Sequence, residues 1–159
     1  VPGPRGSQLI GDTYNASTPS VLAALGILQE VPAPRKVAVL GEMRELGDVS
    51  EEEHRVVGGR AADIVDELVI FGELALPALE EARAAERPAD RPLGLHYFRL
   101  DQREELIDFL RQELREGDIA LFKGSRGLQM ETIVTALRSD AGIDRHAPNG
   151  QAAEREPAQ

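Results

Sequence analysis

The amino-acid sequence predicts an α/β fold, a Rossmann-like three-layer α/β/α domain with a mostly parallel sheet. Strand-like and helix-like segments alternate five times along the 159 residues, a pattern typical of a parallel sheet with helical crossovers. The segments Val37–Leu40 and Ile119–Phe122 are continuous apolar runs, as expected for strands covered on both faces. The composition agrees, because 42% of the residues are apolar and only 4% are aromatic, which favours an aliphatic core.

Composition and charge exclude several classes of protein. A net charge of −10 and the scarcity of aromatic rings argue against a nucleic-acid partner. The absence of cysteine excludes disulfides and thiolate metal sites. No apolar run approaches the roughly 20 residues of a membrane span, and no signal peptide is recognisable. The acidic composition itself is typical of a soluble cytosolic domain with charged helix faces. The chain begins with valine, so we expect a mature product or an excised part of a longer protein.

The first third of the chain predicts a linker, a strand and a helix. Residues 1–7 are rich in proline and glycine and predict a linker or a poorly ordered entry. The first strand is expected at Gln8–Ile10 and ends before a polar turn. Thr18 is the expected cap of the first helix, with Pro19 at the first helical position, where its missing N–H has no cost.

The second strand, Val37–Leu40, leads through a charged loop into the second helix, predicted at Glu51–Val65. Ser50 and Glu53 have the spacing of a capping box, which predicts that Ser50 caps this helix. Gly58 and Gly59 lie in its middle, where each costs about 1 kcal/mol relative to alanine. Such a pair predicts close packing against a neighbouring element.

The remaining elements are predicted by the same signals. In chain order they are a strand at Leu68–Phe71, a helix at about Ala75–Ala84, a short edge strand at His96–Phe98, a helix capped by Asp101 with Glu104 and stopped at Gly117, a strand at Ile119–Phe122, and a helix at Leu128–Arg138. The predicted domain therefore spans residues 8–138. Residues 139–159 show no periodicity and predict a disordered tail.

Several ligand-binding motifs are missing from the sequence. The first strand is not followed by G-x-G-x-x-G, and the chain contains no G-x-x-x-x-G-K-[ST], so we expect neither a dinucleotide fingerprint nor a nucleotide P-loop within these residues. Histidine spacings such as H-x-x-H or H-E-x-x-H are also absent, so we expect no metal held by this chain.

Polar side chains follow four of the five predicted strands. The carboxyl ends of parallel strands share one edge of the sheet, where ligands of open α/β sheets bind, so these side chains are expected to lie on one rim. They are Asp12, Tyr14 and Asn15 after the first strand, Glu42, Arg44 and Glu45 after the second, Glu73 after the third, and Lys123, Ser125 and Arg126 after the fifth.

Several residues of this rim have two interpretations each. Asp12 could be a turn-forming residue with no other role, and Tyr14 could simply be a half-buried aromatic residue. Lys123 and Arg126 lie in the glycine-flanked run K-G-S-R-G, which suits an anion site but is equally typical of a solvated turn. His54 falls on the apolar stripe of the second helix near the rim, where it is either a packed or capping histidine or a substrate contact.

Four motifs taken in series resemble one family. They are D-T-Y-N-A from Asp12, V-L-G-E-M-R-E-L-G from Val39, S-E-E-E-H from Ser50, and K-G-S-R-G from Lys123 with Met130 and Glu131 after it. Together they resemble the C-terminal domain of the Mur ligases over about residues 8–138. The resemblance is greatest to the MurF type, which adds D-Ala-D-Ala to UDP-N-acetylmuramoyl-tripeptide, because the D-N-P-R signature of the diaminopimelate- or lysine-adding type is absent.

The resemblance implies a three-domain cytoplasmic enzyme of peptidoglycan synthesis. An N-terminal domain would hold the UDP-sugar peptide, and a central domain would carry the P-loop and the sites for ATP and Mg²⁺. ATP would phosphorylate the tripeptide carboxylate, and the amine of D-Ala-D-Ala would attack the acyl phosphate. The C-terminal domain would close over ATP and bring the dipeptide, so this chain is not expected to be active alone.

The resemblance also implies residue roles. Asp12, Tyr14 and Asn15 match the motif that reaches the nucleotide and the acyl phosphate. Lys123, Ser125 and Arg126 match the loop expected to hold the carboxylate of D-Ala-D-Ala. Glu42 and Glu45 match a loop that could position the incoming amine. His54 is a further candidate for substrate binding, from its position near the rim and not from the resemblance. The chain departs from the family at two positions. Gly11 stands where a second acidic residue is common, and Ser17-Thr18-Pro19 follows the alanine where the family commonly has Asn-Pro.

Two other functions remain open on the sequence alone. The chain could belong to another ligase of the superfamily, similar to folylpolyglutamate or cyanophycin synthetase. It could also be a non-catalytic, flavodoxin-like interaction module whose acidic surface is the interface.

Overall fold

The computed structural model describes residues 1–144. It contains one five-stranded sheet in which every strand pair is parallel. The strands are β1 (Gln8–Asp12), β2 (Lys36–Gly41), β3 (Glu67–Phe71), β4 (Gly94–Phe98) and β5 (Ile119–Lys123), in the spatial order β1-β5-β2-β3-β4. The predicted fold class is confirmed, and so is the edge position of the fourth strand.

Within residues 1–144, five α-helices cover the two faces of the sheet. They are α1 (Thr18–Glu30), α2 (Ser50–Ile64), α3 (Leu76–Ala84), α4 (Arg103–Glu113) and α5 (Met130–Asp144). The first three pack on one face in one apolar cluster, and α4 and α5 pack on the other face in a second cluster. This is the three-layer arrangement that continuous apolar strands require, because both faces of each strand are buried.

The strand order creates a crevice at the carboxyl ends of the strands. The chain steps from β1 through β4 in one direction with its helices on one face, and returns along the other face through α4 to β5. The segment after β5 therefore leaves the sheet on the opposite side from the segments after its neighbours β1 and β2. Ligands of open α/β sheets bind where neighbouring strands diverge in this way.

The close packing predicted for the glycine pair of α2 occurs at one of the two positions. A Cβ atom on Gly58 would lie 2.2 Å from the carbonyl oxygen of Ala78 in α3, so only glycine fits there. A Cβ on Gly59 would meet only Glu81 Cγ at 3.5 Å, which is an ordinary contact.

The three predicted helix caps are wrong in detail. Ser17, not Thr18, caps α1, in a reciprocal capping box with Ser20. Ser50 does not cap α2, because a 3₁₀ turn leads directly into the helix and Ser50 already has helical angles of φ −54° and ψ −49°. A similar turn precedes α4, and Asp101 instead accepts a hydrogen bond from Arg99. A 3₁₀ turn supplies partners for the first helical amides, so no side-chain cap is needed there.

Two helix ends also differ from the prediction. Helix α4 ends at Glu113, and Gly117 lies beyond it with φ +85°, in the turn that leads into β5. Helix α5 begins at Met130, after a 3₁₀ turn, and continues to Asp144. The predicted disorder is therefore wrong for 139–144, where Ala141 is still buried against the fold. The rest of the predicted tail, 145–159, lies outside the described residues.

The first seven residues pack against the domain, although the sequence suggests a linker. A turn at Pro4–Gly6 reverses the chain, and Pro2 forms an antiparallel bridge with Gln8. The backbone N–H of Leu9 donates to the Val1 carbonyl over 2.7 Å. The left-handed conformation of Gly6, at φ +83°, makes this reversal possible. No helix in the described range 1–144 combines the length and the apolar character that crossing a membrane requires.

Candidate functional site at the carboxyl ends of the strands

The candidate site is the rim formed by residues 12–16, 42–47, 72–75 and 123–129, which follow β1, β2, β3 and β5. The structure brings these four segments together, as the sequence predicts from the parallel order. The side chains of this rim differ in whether their polar atoms already have hydrogen-bond partners within the chain. Only side chains with free polar atoms can bind a ligand directly.

Lys123 is the buried cation of the rim. It is the last residue of β5 and lies beside Asp12, the last residue of β1. Only 1% of its side chain is exposed, and its Nζ donates to Asp12 Oδ2 over 2.8 Å and to the Asn15 carbonyl over 2.9 Å. Burying an ammonium group is costly unless it is paired, and these two acceptors provide the pairing. Lys123 therefore fixes the turn 12–15 and does not present a free charge.

The turn held by Lys123 is open to solvent on its outer side. The Asp12 side chain is 49% exposed, and Tyr14 is 75% exposed. The Asn15 Oδ1 accepts from the backbone N–H of Ala16 over 2.8 Å. The Arg126 guanidinium lies 5.5 Å from the centre of the Tyr14 ring, within cation–π distance, and so links this turn to the loop after β5.

Ser125 joins the loop after β5 to the loop after β2. Its backbone N–H donates to the Glu42 carbonyl over 2.9 Å, and its Oγ accepts from the Arg44 N–H over 2.7 Å. Two glycines make this approach possible. A Cβ on Gly124 would lie 3.2 Å from the Gly41 Cα, and a Cβ on Gly41 would lie 2.6 Å from Leu128 Cδ1.

Glu42 is buried and connects a third loop. Its Oε1 accepts from Arg44 Nε over 3.2 Å, and its Oε2 accepts from the Leu74 N–H over 2.9 Å. Gly72, with φ +103°, leaves space for this carboxylate, since a Cβ there would lie 2.5 Å from Glu42 Cγ. Glu45 differs, because it is exposed, has a left-handed φ of 67°, and makes no hydrogen bond within the described residues.

His54 is buried in α2 and uses both ring nitrogens. Its Nε2 accepts from the Met43 N–H over 2.9 Å, and its Nδ1 donates to the Ser50 carbonyl over 2.7 Å. These contacts require the neutral tautomer protonated on Nδ1. Burial lowers the pKa of the imidazole, although the Ser50 carbonyl and Glu42 act against that change. The contacts favour the packed histidine over the substrate contact, and they anchor the 42–47 loop to α2.

Two arginines of the site have no role predicted from the sequence. Arg44 lies on the predicted rim, and its Nη1 is 3.0 Å from the position that a Cβ on Gly127 would occupy. Arg103, from α4, donates from Nη1 to the Gln129 carbonyl over 3.1 Å and to Thr132 Oγ1 over 2.9 Å, and so supports the 126–129 turn. The helical pattern of α4 gives no signal for this role, because it depends on a contact 26 residues away.

A cleft of about 510 Å³ lies beside the rim, between the segments that follow β3 and β4. Its lining combines carboxylates, one arginine, a tyrosine and two leucines: Glu42, Glu73, Leu76, Tyr97, Arg99, Leu100 and Asp101. Burial, helped by the nearby charge of Glu73, raises the pKa of the Tyr97 hydroxyl above its ordinary value. Within residues 1–144, no three histidine, aspartate or glutamate side chains group as metal ligands would.

Comparison with known proteins places the chain in one family. Residues 1–126 match the family described as Mur ligase, glutamate ligase domain. The UDP-N-acetylmuramoyl-tripeptide–D-alanyl-D-alanine ligase of Bacillus subtilis is 32% identical over 134 residues, which are 83% of this chain and 28% of that protein. The ligase of the same name from Treponema pallidum is 35% identical over 130 residues, 81% of this chain and 27% of that protein.

A solved structure is similar as well. The MurF ligase from Thermotoga maritima, in complex with ADP, superposes with a TM-score of 0.69 at 26% identity, covering 91% of this chain and 32% of that one. The chain thus spans less than a third of the length of these relatives. The resemblance identified from the four motifs is confirmed, and the chain belongs to the Mur ligase family, in which it matches the glutamate ligase domain.

Proposed function

We propose that this chain is the acceptor-binding domain of an ATP-dependent ligase of peptidoglycan synthesis that adds D-Ala-D-Ala to UDP-N-acetylmuramoyl-tripeptide. Its family and the names of its relatives support this function. The main structural support is the rim, where the Lys123–Asp12 and Ser125–Glu42 hydrogen bonds hold the loops after β1, β2 and β5 together on one surface. Two alternatives, a folylpolyglutamate- or cyanophycin-type ligase and a non-catalytic interaction module, are less well supported, because the relatives named above are D-alanyl-D-alanine ligases of this type.

In this proposal the loop 123–127 holds the carboxylate of D-Ala-D-Ala. Arg126 is the exposed cation of that loop and donates to the carboxylate directly. Lys123 and Ser125 act by shaping the loop, because their polar atoms bond Asp12, Asn15, Glu42 and Arg44. Of the two acidic residues expected near the incoming amine, Glu45 is the accessible one, while Glu42 supports the loops.

The turn 12–15 would face the nucleotide across a domain boundary. Tyr14 and Asp12 are exposed on its outer side, so they remain available to ATP or to the acyl phosphate. The T. maritima relative was solved with ADP, which supports nucleotide use. We propose that ATP and Mg²⁺ are bound mainly by the central domain, as the family resemblance implies. The N-terminal and central domains of the ligase are the proposed partners, and a nucleotide-linked substrate implies a cytoplasmic reaction.

Titration of the isotopically labelled chain with D-Ala-D-Ala, followed by NMR chemical shifts, tests the acceptor site. We expect shifts concentrated in 123–127 and 42–45, a weaker response to L-Ala-L-Ala, and their loss in Arg126→Ala. Arg60→Ala, on the outer surface of α2, is the control for charge and should bind as the parent does. Saturating dipeptide that leaves the 123–127 resonances of the folded chain unchanged would contradict the acceptor assignment.

A further inference from the structure

We propose that Arg44 is a second anion-binding residue of this site, which presents its guanidinium beside the 123–127 loop to a carboxylate or phosphate group. The identity of the ligand rests on the proposed function. The binding chemistry rests on the contacts of Arg44 itself.

The Arg44 side chain is anchored and still has donors to offer. Its Nε donates to the buried Glu42, and its backbone N–H is fixed to Ser125. Within the described residues neither Nη1 nor Nη2 has a hydrogen-bond acceptor. These two nitrogens form the outer edge of the guanidinium, and that edge can bind both oxygens of a carboxylate or phosphate at once.

The position of Arg44 places it with the other exposed cation of the rim. Its Nη1 occupies the space over Gly127, and Arg126 is the next residue toward the N-terminus. Arg126 rests on the Tyr14 ring and likewise has no hydrogen-bond acceptor among residues 1–144. Two guanidinium groups with unsatisfied donors therefore belong to adjoining parts of one rim.

Two carboxylates of the rim already have partners and do not cancel this pair. Glu42 occupies Arg44 Nε and the Leu74 N–H, and Asp12 is bonded to Lys123. A strong anion would thus meet two cations: Arg44 contacts a carboxylate only through Nε, Arg126 contacts only a tyrosine ring, and the outer N–H groups of both are free within residues 1–144. Arginine supplies this recognition better than lysine, because its planar fork matches a two-oxygen ligand.

The test uses the 159-residue chain and three probes, each titrated at constant ionic strength. D-Ala-D-Ala carries the carboxylate, D-Ala-D-alaninamide lacks it, and inorganic phosphate stands for the nucleotide and acyl phosphate groups. We expect Arg44→Ala to weaken binding of the anion by about tenfold, the usual effect of losing a hydrogen bond between charged groups. Arg44→Lys should fall between Arg44→Ala and the parent.

Two further variants separate binding from folding. Gly127→Ala keeps both arginines but places a Cβ 3.0 Å from Arg44 Nη1, so it should displace the guanidinium and weaken binding. The backbone of Gly127 is outside the left-handed region, so alanine is tolerated there. Arg60→Ala removes an equally exposed arginine, 40% in both cases, and should leave binding unchanged.

The outcomes distinguish this inference from the proposed function. Dipeptide binding that is lost in Arg126→Ala but normal in both Arg44→Ala and Gly127→Ala would overturn the role of Arg44 and leave the acceptor site standing. Arg44-dependent binding of phosphate without binding of the dipeptide would support the anion site and contradict the acceptor assignment. Binding of the amide as tightly as the acid, or no response of the parent chain to any probe, would overturn the inference.

Discussion

At the scale of single residues, the rim shows how partners determine whether a charge is available. Lys123 and Arg126 lie three positions apart in one loop, yet one is buried against Asp12 and the other is exposed over Tyr14. The difference follows from strand register, since Lys123 ends β5 directly beside the end of β1. A sequence motif therefore identifies the loop, and only the fold identifies which cation can meet a ligand.

The Lys123–Asp12 pair predicts an asymmetry between two variants. Asp12→Ala leaves a buried ammonium with one carbonyl acceptor and should cost about 3 kcal/mol of unfolding free energy. Lys123→Met leaves Asp12, which is half exposed and can be hydrated, so we expect a loss of about 1–2 kcal/mol. Urea unfolding of both single variants and the double variant measures this. An Asp12→Ala variant as stable as Lys123→Met would show that the ammonium is hydrated in the fold.

His54 predicts a dependence of stability on pH. Its pKa is lowered in the fold, so the unfolded chain takes up the proton first as the pH falls. The stabilisation is complete above the unfolded value of about 6.5 and is lost as the pH falls from there toward the lower folded pKa. His54→Gln keeps an acceptor for the Met43 N–H but does not titrate.

Unfolding measured at about pH 7.5 and about pH 5.5 should therefore show a larger loss for the parent chain than for His54→Gln. Other groups that titrate in this range are present in both proteins, so the difference isolates His54. Equal losses in the two proteins would mean that the imidazole accepts a proton without leaving its site.

At the scale of elements, helix packing predicts opposite effects for adjacent glycines of α2. Gly58→Ala would drive a Cβ into the backbone of α3, so we expect a loss of about 1–3 kcal/mol despite the better helix propensity of alanine. Gly59→Ala meets only the flexible Glu81 side chain and should gain up to about 1 kcal/mol. Thermal or urea unfolding of the pair checks this, and a stable Gly58→Ala would show that α3 can shift away.

The elements also show where sequence information ends. The strands are recognisable because their apolar runs are local, and the rim residues are recognisable because each follows a strand. The side-chain caps predicted at Ser50 and Asp101 are wrong because a 3₁₀ turn and a side-chain cap satisfy the same amides. The insertion of β5 between β1 and β2, and the contact of Lys123 with a residue 111 positions away, depend on the whole fold. No local pattern records them.

At the scale of the whole molecule, the two ends of the sheet have separate tasks. Opposite the rim, Arg35 at the start of β2 bonds Glu113 and the buried Asp118, and these carboxylates raise its pKa above the ordinary value. This cluster joins β2, α4 and the start of β5. It stabilises the fold at a distance from the candidate site.

Arg35→Met should therefore lower stability without changing ligand binding. Asp118 would be left buried without its cation, and we expect a loss of about 3–5 kcal/mol in urea unfolding. Arg91→Met, which removes an exposed arginine paired with Asp66, should have a much smaller effect on stability, because that pair is screened by solvent. An Arg35→Met variant that is folded yet loses the dipeptide response would show that the two ends of the sheet are coupled.

The triple attachment of Glu42 has a consequence for the energetics of association. Because one residue fastens the loops after β2, β3 and β5 to one another, these loops are already fixed before any ligand arrives. Ordering a free backbone residue costs roughly 1–2 kcal/mol of conformational entropy. Loops that are ordered before binding avoid most of that cost, so a larger part of the free energy of each contact contributes to affinity. The rim would then contact an opposing surface without rearrangement of its loops, and any closing motion over a ligand would move the domain as a whole.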